Sequence, residues 1–347
     1  MLTAMGVTDW TERDRTDLAL AERVVRNWLA ADSPLYQLFT ARIADDSEML
    51  GLVAAIDNVP PLNLLYAGVQ LMLTPGDALA RWYPRYGGNA APSEEAYIEF
   101  RAFALERRSA LVDIGRTRRT QTNEVGRSAV LLPFIVSELT STSEPVHAVD
   151  VGASAGLNLC LDRYAYNYSG TVVGDSSLTL ACDNRGRFPV PGNGLPAPLP
   201  VFATRTGLDL APVDVEDPDA MAWLEALVWP EQNGRLERLR EAVAIRRDTP
   251  VTMVAGDAVE TLAHVEAALE DGTLLLWHTV ALYQLTDEQN AELDDIVAEI
   301  ATRRRVVRIA FEMPKNSDYP EVRVGIRPWE GPALAVGHPH GAWLDRP

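Results

Sequence analysis

The stretch His147-Ala-Val-Asp-Val-Gly-Ala-Ser-Ala-Gly-Leu-Asn158 decides how the rest of the chain is interpreted. An apolar run, Val146–Val151, leads into a turn of small residues, and the residues after the turn are predicted to start a helix. Glycines at 152 and 156 permit positive φ angles and leave room for a ligand close to the main chain. The stretch therefore predicts a strand, a tight turn and a helix, with Asp150 placed at the turn.

This turn has two chemical interpretations besides simple tight packing of the glycines. A small-residue turn before a helix accepts an adenosine group or a phosphate, and Asp150 favours a cationic or hydroxyl-bearing ligand. The same letters spell Gly152-x-Ser154-x-Gly156, the nucleophile elbow of α/β-hydrolases, with Asp257 and then His278 or His340 in the order Ser, Asp, His. Because a hydrolase elbow follows several strands and the preceding chain looks helical, topology favours the adenosine-like ligand.

The chain divides into two predicted domains. Residues 1–140 show apolar spacings of three and four, as at Val25 and Leu29, which predicts an all-helical cap that carries the substrate region. Residues 141–347 alternate short apolar runs with helical stretches, which is typical of a parallel sheet with crossover helices. An insertion is expected at about residues 165–200, after the first strand and helix.

The second strand supplies the next candidate. Val201–Asp209 is predicted to be a strand, and an acid at this point holds ribose hydroxyls in Rossmann-like sites. About 50 residues separate the glycine turn from Asp209, where ~20 is usual. The insertion accounts for the difference, and its Pro- and Gly-rich residues 184–200 are predicted to form a loop. If Asp209 is not the acid, Asp175 or Asp183 is the alternative.

Two further strand ends carry polar residues. Val251–Val254 is followed by Gly256, Asp257 and Ala258, a position from which a carboxylate can bind an adenine amino group. The fourth strand ends at His278, which could act as a general base because its ordinary pKa of ~6.5 lets it accept a proton near neutral pH. The alternative for His278 is an ordinary buried core residue.

A polar run precedes the first strand. Gln121-Thr-Asn-Glu-Val-Gly-Arg127 places five polar residues in seven positions, more than helix packing requires. If the run is helical, Asn123 and Arg127 share a face and could meet the substrate or the carboxylate of a bound amino-acid group. The alternative is a buried hydrogen-bond network between cap and sheet. Gln121, Asn123, Glu124 and Arg127 are thus the candidate substrate or cap residues.

Together these motifs resemble the class I S-adenosylmethionine (SAM)-dependent methyltransferases. Asp150-Val-Gly-Ala-Ser-Ala-Gly156 stands for their first motif, Asp209 for the ribose-binding acid and Asp257 for the adenine contact. The resemblance implies an α/β fold with a Rossmann-like, seven-stranded sheet, SAM as cofactor and methyl transfer to a small molecule. It implies these cofactor-binding residues: Asp150, Gly152, Ala153, Ser154, Gly156, Asn158, Asp209, Gly256, Asp257 and Ala258.

Over its whole length the chain is similar to an uncharacterised bacterial family, designated domain of unknown function 2332, that has no known substrate. The matching features are Thr120-Gln-Thr-Asn-Glu-Val-Gly-Arg127, Gly152-Ala-Ser-Ala-Gly-Leu-Asn158, Arg205-Thr-Gly-Leu-Asp209, Trp229-Pro230 and His340-Gly-Ala-Trp343. Two other functions stay open: a serine hydrolase that uses Ser154, and a non-catalytic SAM-binding or scaffold protein.

The amino-acid composition limits the kinds of binding partner that are expected. The 347 residues include 31 Lys plus Arg against 49 Asp plus Glu, a net charge of −18 that would repel nucleic acids and anionic membranes. Met1–Arg15 lacks the apolar run of a secretory signal, and Leu62–Leu73 is too short to span a bilayer, so a cytoplasmic location is expected. Two cysteines, and a His338/His340 pair with no third ligand nearby, predict no metal site. The oligomeric state stays open.

Overall fold

The computed structural model describes residues 22, 25, 33–121, 123–314 and 317–347. Leu29, one of the positions that predicted a helix, lies outside these residues. Val25 is helical and fully buried.

Residue contacts divide the chain into two compact units. The first comprises residues 1–122 and 221–237, and the second comprises residues 123–220 and 238–347. Residues 123–140, assigned to the cap from sequence, thus cluster with the sheet, whereas residues 221–237 cluster with the N-terminal helices. We call the two parts the helical unit and the sheet unit.

In the helical unit, no strand occurs among residues 33–121. Ser33 accepts a hydrogen bond from the Tyr36 amide, and Asp46 and Ser93 cap later helices in the same way, so each side chain pairs an amide that the helix itself leaves open. The helices are α1 (Pro34–Ile43), α2 (Ser47–Ala54), α3 (Pro61–Met72), α4 (Glu94–Glu106) and α5 (Arg108–Thr117).

The sheet unit contains most of the remaining elements. Its helices are α6 (Arg127–Leu139), α7 (Pro218–Ala226), α8 (Asn233–Arg247), α9 (Ala258–Ala267) and α10 (Asp287–Ile300), of which α7 and α8 run partly in the helical unit. Its strands are β1 (Val146–Val151), β2 (Ala165–Tyr168), β3 (Thr171–Val173), β4 (Thr179–Asn184), β5 (Val190–Pro191), β6 (Gly194–Leu195), β7 (Thr204–Asp209), β8 (Thr252–Ala255), β9 (Thr273–Thr279), β10 (Val306–Glu312), β11 (Glu321–Val324), β12 (Ala335–Gly337) and β13 (Trp343–Asp345).

One large sheet organises this unit. It has 11 strands in the order β3-β2-β4-β13-β12-β11-β10-β9-β1-β7-β8, and the stretch from β10 to β8 is parallel throughout. Along the chain, β7 and β8 are added on one side of β1, whereas β9 and β10 are added on the other. The direction of strand addition therefore reverses between β1 and β9, and in open α/β sheets ligands bind outside the carboxyl ends of the strands at such a reversal.

The expectation of a seven-stranded sheet is wrong. The insertion contributes β2, β3 and β4, and β4 pairs with β13 so that the inserted strands extend the main sheet. Tyr166 and Tyr168 on β2 are buried and stack at 6.0 Å, which gives this added edge its own apolar contacts. Residues 184–200 are not entirely loop, because β5 and β6 form a small two-stranded sheet there.

The apolar core of the sheet unit lies beneath the strand reversal. All residues of β1 and β9 are buried, as expected for parallel strands covered on both faces. Val149 and Leu276 pack in one cluster with Leu262 of α9 and Leu293 of α10. This packing fixes the two strands whose carboxyl ends carry the candidate site.

Cys160 and Cys182 are free and buried. Within the described part of the chain, no helix combines the length and the apolarity needed to cross a bilayer.

Candidate functional site

The turn after β1 is a compact loop with three residues in the left-handed region. Gly152, Ser154 and Gly156 have φ angles of 77°, 51° and 71°. A Cβ atom on Gly152 would lie 2.5 Å from the Ala281 Cβ, and one on Gly156 would lie 2.9 Å from the Met253 Sδ. The positive φ angles favour glycine at both positions, and the neighbouring side chains of Ala281, after β9, and Met253, on β8, leave little room for a Cβ atom.

Asp209, the last residue of β7, holds this loop. Its Oδ2 accepts a hydrogen bond from the Ser154 amide at 2.8 Å, and its Oδ1 accepts one from the Ala211 amide at 2.9 Å. An ionised carboxylate has about four acceptor positions, so two of them are left for ligand hydroxyls. The alternative acid Asp183 lies on β4, six strands from β1, where it pairs with Arg185; Asp175 lies between β3 and β4.

Asn123 holds the other side of the loop. Its amide nitrogen is hydrogen-bonded to the Ser154 hydroxyl, and its carbonyl oxygen accepts from the Ala155 amide at 3.1 Å. A second amide, Asn158, accepts a hydrogen bond from the Ser128 hydroxyl at 2.8 Å, and this links the residues after the loop to α6. The polar run before α6 thus contacts the glycine loop directly.

The other members of the polar run have different surroundings. Arg127 is buried and donates to the carbonyls of Thr279 and Pro339, both at 2.8 Å. Glu124 is also buried; it accepts from the Gly126 amide at 3.0 Å and lies 3.6 Å from the Arg238 guanidinium. Gln121 belongs to the helical unit.

Asp150 is a buried carboxyl group, and its burial makes the ionised form unfavourable. It is 2% exposed, and burial raises its pKa well above the ordinary value, with Trp277 and Arg127 lowering it and Asp209 and Glu312 raising it further. In the low-dielectric interior a carboxylate is stable only beside a compensating partner. A positive charge or a hydrogen-bond donor next to this group would stabilise its ionised form.

His278 lies in a buried chain of polar groups. Its Nδ1 is 3.0 Å from a Glu312 carboxylate oxygen, and its Nε2 accepts a hydrogen bond from the Arg308 Nε at 3.2 Å. These partners assign the proton to Nδ1. Burial lowers the pKa of His278, an effect that the Glu312 hydrogen bond opposes. The general-base role stays a prediction, but it requires His278 to leave one of these two partners.

Glu312, which the sequence analysis did not single out, fixes the segment after β9. Its carboxylate accepts from the amides of Ala281 at 3.0 Å and Leu282 at 3.3 Å. The preceding Val280 has φ 46°, an unfavourable conformation for a β-branched residue. A sequence signal that could have found Glu312 is its position. It is the last residue of β10, as Asp209 is the last residue of β7.

Asp257 directly precedes α9 and is its N-cap residue. One carboxylate oxygen accepts from the Val259 amide at 2.9 Å, and the other accepts from the Gln289 side-chain amide at 3.0 Å. Gly256, with φ 146°, donates its amide to the Asp209 carbonyl at 3.0 Å, and Ala258 is the first residue of α9. The segment after β8 therefore lies beside the end of β7.

The hydrogen bonds of Ser154, His278 and His340 bear on whether these residues could form the catalytic triad of a hydrolase. Among the described residues, the Ser154 hydroxyl bonds to the Asn123 amide, which is not a base. His278 is engaged by Glu312 and Arg308, and the His340 amide donates to His338 Nδ1 in a turn. The described residues also contain no cluster of His, Cys, Asp or Glu able to hold a metal ion.

These features define a mixed α/β protein built on a large, mostly parallel sheet. The chain belongs to the family of uncharacterised proteins conserved in bacteria designated domain of unknown function 2332 (DUF2332), whose family model matches residues 20–346. The match confirms the similarity to this bacterial family that the sequence indicated over the whole chain. No curated protein matches the chain.

Proposed function

We propose that this protein is a SAM-dependent methyltransferase of Rossmann-like fold that acts on a small molecule. One observation carries the proposal: Asp150, Asp209 and Asp257 come at the carboxyl ends of β1, β7 and β8, around a glycine loop at the reversal of strand order. That is where open α/β sheets bind nucleotides.

The residues at this edge fit the cofactor's chemistry. SAM carries an ammonium group and a sulfonium, and the buried carboxyl of Asp150 gains from a nearby positive charge. Asp150 and the glycine loop would hold the methionine part. The remaining acceptor positions of Asp209 suit ribose hydroxyls, and Gly256, Asp257 and Ala258 would hold the adenine.

Bound SAM supplies an electrophilic methyl group on a positively charged sulfur. The methyl group would pass to the acceptor by displacement at the methyl carbon. Such an in-line displacement depends mainly on positioning. Glu312 would contribute by holding the amides of Ala281 and Leu282, while His278 donates a hydrogen bond from its Nδ1–H to Glu312.

A serine hydrolase is the second candidate, since Ser154 has the left-handed conformation (φ 51°) typical of a residue at a sharp strand-to-helix turn. Against it stands the Asn123 partner of the hydroxyl. A fluorophosphonate probe separates the two candidates. We expect no labelling of the wild-type protein, whereas labelling that disappears in Ser154→Ala would favour the hydrolase.

The main test is calorimetric and thermal titration with SAM and S-adenosylhomocysteine (SAH). We expect saturable binding, and a ligand at 100 times its Kd should stabilise the fold by ~2.7 kcal/mol. Asp150→Asn should weaken SAM binding at least tenfold. The matched control Asp183→Asn removes the same charge from a largely exposed side chain on β4 and should bind normally. Absence of binding at millimolar ligand contradicts the proposal.

A further inference from the structure

We propose that the acceptor bound at the carboxyl ends of β7, β9 and β10 is a small hydrophobic amine. This inference rests on the proposed methyltransferase function and adds the chemical class of the second ligand. It draws on two independent properties of the same sheet edge: exposed apolar side chains and an excess of carboxylates.

The apolar side chains follow three neighbouring strand ends. Leu210 comes directly after β7, Tyr283 comes four residues after β9, and Met313 comes directly after β10. Their exposed fractions are 56%, 68% and 40%. Single exposed apolar residues need no explanation, but three at one edge of a sheet indicate a surface that an apolar ligand can cover.

Two other exposed aromatic side chains of the sheet unit already have specific partners. The guanidinium of Arg323 lies over the Trp329 ring at 5.6 Å, and Tyr319 packs edge-on against Trp343 at 4.9 Å. No such ring contact is formed by Tyr283 within the described part of the chain. Tyr283 is therefore available for a ligand.

The spacing suits a small molecule. The strand order β10-β9-β1-β7 places Met313 and Tyr283 on one side of the glycine loop and Leu210 on the other. Three strand intervals of about 4.8 Å separate β7 from β10, a span of roughly 14 Å. A nucleoside cofactor and a compact acceptor fill such a width.

The charge at this edge favours a cationic acceptor over an anionic one. The strand ends place Asp209, Asp257 and Glu312 at this edge, together with Asp150, whose pKa is raised by burial. Four guanidiniums lie near these groups and offset part of their charge: Arg127 donates to two main-chain carbonyls, Arg238 lies near Glu124, Arg308 pairs with Asp294, and Arg246, beside Gly156, donates to the carbonyls of Thr249 and Val251. An excess of carboxylates repels phosphates and carboxylic acids and attracts ammonium groups.

The transfer balances without another reactant. The amine loses a proton to solvent water, its nitrogen forms a bond to the methyl carbon, and the carbon–sulfur bond of the sulfonium breaks. The products are a methylated amine and SAH.

The test compares two molecules of the same shape and opposite charge, 2-phenylethylamine and 3-phenylpropanoate. Their binding to the full chain is measured by NMR saturation transfer and calorimetry at saturating SAH. We expect the amine to bind with a Kd at least tenfold lower than that of the carboxylate. Leu210→Ser and Tyr283→Ser should each raise the Kd of the amine at least fivefold. Val172→Ser, a matched control at a 65% exposed position on β3, should leave it unchanged.

The outcomes separate this inference from the proposed function. Three outcomes would overturn the inference alone. They are equal binding of the amine and the carboxylate, an amine affinity that neither site variant changes, and no amine binding while SAH binds. No SAH binding with amine binding intact overturns the methyltransferase function and leaves an amine-binding edge. No binding of either ligand overturns both. Melting temperatures near that of the wild type confirm that the variants fold.

Discussion

At the scale of single residues, Asp150 combines a structural cost with the cofactor-binding role that we propose for it. Burial raises its pKa, so the folded state binds more protons than the unfolded state at pH values above the ordinary Asp pKa of ~3.9. The stability of the fold therefore falls as the pH rises through this window. Proteins tolerate such costs at sites where the charged group is needed for binding.

We predict that Asp150→Asn is more stable than the wild type at pH 7. The asparagine keeps the size of the side chain and removes the charge, so the gain in melting temperature should shrink as the pH is lowered toward 4. Thermal melts between pH 4 and pH 8 measure it. A lower melting temperature for the variant at every pH would show that the carboxylate stabilises the fold.

Val280 offers a second residue-scale prediction. Its φ of 46° is costly for a β-branched residue by about 1–3 kcal/mol, whereas glycine adopts this conformation freely. Val280→Gly should therefore leave the free energy of unfolding unchanged or raise it by about 1 kcal/mol. The control Val254→Gly, inside β8, should lower it by about 2 kcal/mol. Urea denaturation measures both, and an equal loss in both variants would contradict the explanation.

At the scale of elements, a buried ion pair links β7 to the 3-10 helix Leu157–Arg163. Arg205 contacts Asp162 at 2.5 Å, and the two side chains are 7% and 4% exposed. Removing one partner of a buried pair costs about 3–5 kcal/mol because a buried charge is left behind. Arg163 lies 3.3 Å from the same carboxylate but is 55% exposed.

We predict that Arg205→Ala lowers the free energy of unfolding by about 3–5 kcal/mol and that Arg163→Ala lowers it by less than about 1 kcal/mol. Chemical denaturation of the two variants provides the comparison. Similar losses in both would show that burial does not decide the strength of this pair.

The elements also show what sequence patterns can and cannot predict. The strands β1 and β9 were predictable because continuous apolar runs end at small or polar residues. The strands β2 and β4 were hidden because neither is a continuous apolar run, and β4 also pairs with β13, which is far along the chain. The same limit applies to Glu312, since its partner amides at Ala281 and Leu282 come from another strand end.

At the scale of the whole molecule, the helical unit is discontinuous in sequence. Gln70 of α3 donates to the carbonyls of Ala226 and Val228 at 2.8 and 2.7 Å, and Trp223 is buried in the same core. Glu231 accepts hydrogen bonds from the Ser33 hydroxyl and the Leu35 amide. Hydrophobic periodicity carries no information about such returns of the chain, so the sequence predicted one boundary at residue 140.

We predict that residues 1–122 alone do not melt cooperatively. The same fragment joined by a Gly/Ser linker to residues 221–237 should do so, because the returning segment fills the core around Trp223 and satisfies Gln70. Circular dichroism melts of the two fragments test this. A cooperative transition of equal midpoint in residues 1–122 alone would contradict the structural role of the returning segment.

The most direct test of the central claim is a crystal structure of the protein grown with SAH. The account predicts ligand density outside the carboxyl ends of β1 and β9, with the ribose beside Asp209 and the amino group near Asp150. Density elsewhere, or an apo site in crystals grown at millimolar SAH, would contradict the assignment of the glycine loop as a cofactor site.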